Sequence, residues 1–213
     1  MGTADEQRTV NLWSLSEDVA VATEAGGQTL VLTGRWGTER IGDAHPVVHE
    51  ALRRMQLGPV LLANLEPRPG SIVPRAHTYL VLLPVLKRLS HLVVRTLGLD
   101  DLKGPLLSVL PVARPAPFTP VPLPPKRPVR MPRGVSFTLE AAGFALESVG
   151  SPHRVLLHRP EAAWVAGMLA WPITPDQASD ALPLPRAVTR GIIEYLAAAG
   201  MAVPVDDFDG HLV

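Results

Sequence analysis

Three short segments decide the fold: Val135-Ser-Phe-Thr-Leu-Glu140, Phe144-Ala-Leu-Glu-Ser148 and Arg154-Val-Leu-Leu-His158. Each is strand-length, rich in β-branched and apolar residues, and bounded by a turn signal. Ala142-Gly143 separates the first two, and Gly150-Ser-Pro-His153 the last two. Three helices are expected next. The first is Glu161–Ala170, entered through Pro160 and halted at Trp171-Pro172. The second runs over Thr174–Ala181, with Thr174 as N-cap and Pro175 in the first turn. The third spans Pro185–Ala199 and closes on Gly200. Three strands followed by three helices in some 65 residues is the order of a winged helix.

Working outward, the segment Pro111 to Pro132 reads as a linker. It holds nine of the 23 prolines, a density that excludes helix and interior strand and predicts a stiff, extended crossing. It is also basic, with no acidic residue between Gly104 and Leu139. Upstream, Val10–Leu15, Val19–Thr23 and Thr29–Thr33 read as strands of one small sheet, with Gly26-Gly27 as a turn and Arg35–Ile41 extending it. A helix is predicted from Pro46, burying Val47, Val48, Ala51, Leu52 and Met55 and stopping at Gly58-Pro59. A second is predicted from Arg75 to Leu97, kinked or delayed by Pro84, with a basic face of Lys87, Arg88, His91 and Arg95. Leu106–Leu110 reads as one more strand. The fold class is therefore α+β, with tandem winged-helix-like modules joined by a Pro-rich linker. The expected divisions are 1–110 (compatible with a divergent winged helix), 111–133 (linker), 134–204 (winged helix) and 205–213 (flexible acidic tail).

Composition narrows the chemistry. Of 213 residues, 46% are hydrophobic and 19% charged, so the chain can bury a core. Twenty basic residues balance twenty acidic ones, which weighs against a dedicated phosphate-backbone binder. The lack of cysteine removes disulfides, thiolate metal sites and a cysteine nucleophile. The polar N-terminus has no signal-like apolar run, so a cytoplasmic location is expected. The apolar run Tyr79–Leu86 is far short of the roughly 20 residues a spanning helix needs.

Several residue sets have the types that could carry chemistry. His45 and His49, with Glu50 adjacent, lack the order of a metal-binding H-E-x-x-H helix, and surface histidines are the expectation. His153 and His158 fall on opposite faces of one strand and are not expected to share a ligand. Asp206–Gly210 starts like a calcium loop but no distal glutamate follows. No G-x-S-x-G, G-x-G-x-x-G or Walker-type loop occurs. Trp13, Trp36 and Trp164 are expected to serve the core, Trp164 with Met168 and Trp171 at apolar spacing.

A family resemblance rests on Leu12–Leu15, Glu50–Pro59, Leu89–Leu97, Pro105–Val112, Leu146–His158 and Tyr195–Met201. In number and order these resemble the N-terminal region of actinobacterial SagB-type azoline dehydrogenases, the part with winged-helix modules of the RiPP recognition element type. The resemblance implies a role in making azole-containing ribosomal peptides, where a following nitroreductase-like domain uses FMN to oxidise azolines to azoles. FMN is thus expected only in a missing or separate dehydrogenase domain, and no catalytic, cofactor or metal residue is assigned to this chain. Partners implied are the precursor's leader peptide, the flavin dehydrogenase, cyclase subunits and a second copy of the chain. Recognition elements of this type take the leader as an added strand on the third strand beside the third helix. Carried onto this sequence, that groove comprises Arg154, Leu156 and His158 with Arg186, Arg190 and Ile193. Two alternatives stay open: a winged-helix DNA-binding regulator, and a fragment of a complete flavoenzyme. The last helix offers only Arg186 and Arg190 to DNA and is otherwise small and apolar, which suits a peptide better.

Overall fold

A computed structural model describes residues 8–24, 28–65, 75–101 and 103–205. The Gly26-Gly27 turn and the acidic stretch after Val205 lie outside these residues. The chain is α+β with antiparallel pairing. It divides into two units, one comprising 1–10, 97–109 and 118–213, the other 11–96 and 110–117.

The second unit carries a three-stranded sheet of β2 (Ala20–Thr23), β3 (Leu30–Gly34) and β4 (Gly37–Ile41), in that order. Both pairings are antiparallel, with Val21 opposite Leu32 and Leu32 opposite Glu39. α1 (Pro46–Leu57) follows, and its buried side is Val48, Ala51, Leu52 and Met55 as its spacing predicts. α2 (Arg75–Arg88) keeps Pro84 within it. Leu32, Leu52, Met55, Leu82 and Leu89 make one core with Leu15, Leu30 and Leu92. Deleting one such buried leucine side chain typically costs about 2–5 kcal/mol.

The predicted second helix is corrected. Helix ends at Arg88, a 3₁₀ turn spans Ser90–Leu92, and β5 (Val93–Leu99) is strand. Val93, Val94 and Thr96 are β-branched and Gly98 disfavours helix. Most of β5 is buried, including the consecutive run Thr96–Leu99, which is how a covered strand differs from an amphipathic helix. β1 (Thr9–Leu15) also departs from expectation. It neighbours β5, not the three-stranded sheet.

The first unit is built on β8 (Val135–Glu140), β9 (Gly143–Ser148) and β10 (His153–Leu157), then α3 (Pro160–Met168), α4 (Pro175–Ala181) and α5 (Arg186–Ala198). Thr174 caps α4 in a capping box. Its hydroxyl accepts from Gln177 N at 3.1 Å while Gln177 Oε1 accepts from Thr174 N at 3.0 Å. In the wider sheet the order is β1-β5-β6-β10-β9-β8, β6 being Pro105–Pro111. Val155, Leu157 and Leu146 share a core with Val165, Ile192, Ile193 and Leu196.

The proline-rich segment holds no helix, bends at 113–115 and turns at 125–127, and its second part is packed. Phe118 sets its ring edge-on to Tyr195 and His153, at 5.1 and 5.6 Å between centroids. Val129 exchanges backbone hydrogen bonds with Ile173 at 2.9 and 3.0 Å, and β7 (Val129–Arg130) pairs with β11 (Val203–Pro204). No helix among the described residues is long and apolar enough to cross a membrane.

Candidate functional site

The sequence placed a groove between β10 and α5, and the structure does not bring its two sides together. Alternation along β10 turns Val155 and Leu157 toward the core that α5 joins, and so turns Arg154, Leu156 and His158 away from it. Both edges of β10 are occupied, by β9 on one side and β6 on the other. His158 N donates to Leu106 O at 2.9 Å along that second edge. An added strand therefore finds no open backbone on β10. Arg154 is held by Glu140 and Glu147. His158 Nε2 sits 2.9 Å from Ser108 Oγ, and burial pushes its pKa down. Ile193 is 0% exposed, so it serves the core. Arg186 pairs with Asp180 and Asp176, and Arg190 reaches Asp176 at 2.6 Å.

Other expectations change as well. Trp164 and Trp171 are 46% and 72% exposed, so the apolar spacing that suggested a core role misleads. The helix α3, which contains Trp164 and ends before Trp171, is apolar on nearly every side, and Ala162, Val165 and Ala166 fill its buried positions instead. The basic face Lys87, Arg88, His91, Arg95 is split by the end of α2. Arg88 and buried His91 approach Glu39, at 3.6 and 3.5 Å, and Arg114 closes on the same carboxylate at 2.5 Å.

An open cleft of about 920 Å³ lies in the second unit. Val21 and Thr23 of β2, with Leu30, form one wall; His45, Pro46, His49, Glu50, Arg53 and Gln56 of α1 and its cap form the other. β2 is a sheet edge. Glu24 N donates to Thr29 O at 2.9 Å, which fixes the ladder's phase. Residues 24, 22 and 20 direct their backbone groups to β3, so Val21 and Thr23 direct theirs outward. Those outward groups have no partner among the described residues.

The helical wall follows from a short run of sequence. His45 caps α1 through Nδ1, which accepts from Val47 N at 3.2 Å, and Pro46 occupies the first turn. That phase buries Val48 and Leu52 and leaves His49, Arg53 and Gln56 on the cleft side. Hydrogen bonds from Arg53 and Arg54 lower the Glu50 carboxyl pKa to about 2, so it is ionised at any physiological pH. Asp43, in the left-handed region at φ 47°, turns the chain into the cleft's floor. His45 is thus a cap, and no group of three or more metal-ligating side chains occurs among the described residues.

The sequence carries signals for this site. Val19–Thr23 alternates, and His49, Arg53 and Gln56 recur at helical spacing. What it could not supply was which edge of the small sheet faces the helix. No protein-family model matches the chain, and no curated protein matches it either.

Proposed function

We propose that this chain is a non-catalytic peptide-recognition and scaffold unit, which takes an extended peptide as an added strand along β2 in the cleft against α1. The observation that carries the reading is the pair of outward backbone positions, Val21 and Thr23, at the lip of a cleft walled by a helix. Main-chain hydrogen bonds to such an edge supply affinity, and side chains on either wall supply selectivity. The resemblance to SagB-type dehydrogenases makes the peptide the leader of a ribosomal precursor, and the partner an FMN-dependent azoline dehydrogenase domain. In this reading β8-β9-β10-α3-α4-α5 is a winged-helix module of the recognition-element type. Its third strand is already paired, so the leader goes to the other unit. DNA binding is disfavoured because Arg186 and Arg190 are engaged by Asp176 and Asp180.

The test titrates a fluorescent leader peptide of an azole-forming ribosomal precursor, and a labelled duplex DNA, each at two salt concentrations. Peptide binding that is lost by at least about tenfold in Thr23→Pro, which deletes an outward N–H without touching the β3 ladder, supports the proposal. Salt-sensitive DNA binding with no peptide binding overturns it.

A further inference from the structure

β8 ends the six-stranded sheet, and no strand among the described residues pairs with its outer edge. Glu140 stands opposite Gly143 across the two-residue turn Ala141-Ala142. A pair closing so tight a turn is hydrogen-bonded, so residues 140, 138 and 136 direct their backbone groups to β9. Val135, Phe137 and Leu139 direct theirs outward. Val135 N turns back to Pro132 O at 3.4 Å, in keeping with that phase. Phe137 and Leu139 have no backbone partner on the open side among the described residues.

The same three residues carry the apolar side chains. Phe137 lies opposite Leu146 and Leu139 opposite Phe144, on the face that holds the unit's core. Yet Phe137 is 42% and Leu139 73% exposed. Edge strands in soluble proteins are ordinarily blunted by a lysine, a proline or a bulge. Within Val135-Ser-Phe-Thr-Leu139 there is none of these.

The order of residue types identifies the occupant. Read outward from Phe137 in either direction, the strand is hydroxyl then aliphatic: Ser136 and Val135 one way, Thr138 and Leu139 the other. We infer that β8 pairs with β8 of a second copy of this chain, antiparallel about a two-fold axis at Phe137, joining two sheets into one. Outward groups must face outward groups, which excludes an axis between residues, and of the axes that fall on a residue only Phe137 pairs all three outward residues with one another. That register sets Phe137 against Phe137, Val135 against Leu139, and Ser136 against Thr138. Glu140 falls opposite Gly134, so no like charges meet. A self-complementary patch of this kind is what an isologous dimer requires. The surface is separate from the β2 cleft, and neither proposal depends on the other.

The chain has no cysteine, which permits a test specific to register. Ser136 and Thr138 form a non-hydrogen-bonded cross-pair, whose Cα atoms approach to about 4.5 Å, within disulfide range. Mixing Ser136→Cys with Thr138→Cys under mild oxidant should give a covalent dimer, while each variant alone should give little. Sedimentation of the wild-type chain should show twice 22.9 kDa, falling to a single copy in Leu139→Pro, which removes an outward N–H from an exposed position. A wild-type chain that sediments as one copy at every concentration overturns the inference. So does a dimer that survives Leu139→Pro, or a cross-link that forms equally with either variant alone. Protection of the Phe137 and Leu139 amides only when a heterologous peptide is added overturns it too, by making that peptide the occupant.

Discussion

The guanidinium of Arg95, on β5, lies 3.3 Å from the centre of the Trp13 ring, on β1. A flat cation on an indole face, with its stem packed alongside, contributes about 1–2 kcal/mol when partly desolvated. Arg95→Ala should therefore lower the stability of the fold by about that amount in urea unfolding. Arg95→Lys should recover only part, because an ammonium keeps the charge and loses the planar stack.

Mild acid should weaken the fold through two histidines. Burial holds His158 and His91 below the ordinary histidine value of 6.5, with Arg114 adding to the effect at His91. In the unfolded chain both titrate near 6.5, so there the unfolded state binds more protons. Their contribution is complete above that pH and falls as pH drops through 6.5 toward the folded values. Urea midpoints measured from pH 7.5 downward should decline accordingly, and His158→Gln should flatten the decline.

Gly143 has a requirement that its neighbour in the next turn lacks. At φ 126°, a Cβ there would sit 2.2 Å from Leu157 O, across the β9–β10 pair. Gly150, at φ 87°, faces open space. Gly143→Ala should cost at least about 2 kcal/mol, since the strand pair must part, and Gly150→Ala about 1 kcal/mol from backbone strain alone. Thermal unfolding of the two variants side by side gives the comparison.

The capping box on α4 predicts a graded series. Thr174→Ala should cost about 1 kcal/mol, and Thr174→Ser almost nothing, because the serine hydroxyl still accepts from Gln177 N. Chemical denaturation resolves a difference of that size.

Strand addition at β2 makes a residue-level prediction for hydrogen exchange. In the free chain the Val21 and Thr23 amides should exchange quickly and Ala22, which faces β3, slowly. Bound peptide should protect the first two and leave Ala22 unchanged.

How far the sequence could be read follows from what periodicity measures. β8, β9, β10, α1 and α4 were legible because each has one wet face, a clear cap or a turn residue at its end. β5 was not. Leu89, Leu92, Val93 and Leu97 match a helical spacing, and a strand covered on both faces has no alternation to contradict it. Trp164 misled for the related reason that α3 is apolar almost all round, so spacing alone could not choose the buried side. The candidate groove failed on pairing. Nothing in Arg154–His158 announces that residues fifty positions upstream already occupy its edge. The cleft residues were all visible as types, but their convergence depends on which strand of a small sheet ends up outermost.

Arg114 reaches back to Glu39 and to Trp36 O from a segment some seventy-five residues later. During synthesis, the unit built from 11–96 thus waits for 110–117 to leave the ribosome before its carboxylate gains that partner. The other unit, which begins with 1–10, stays open until the last helix is made. Neither half is a segment that can finish while the next is being translated, as serial domains do. An excised 11–96 fragment would be released with Glu39 short of one guanidinium, and expression trials should keep the chain through Pro117.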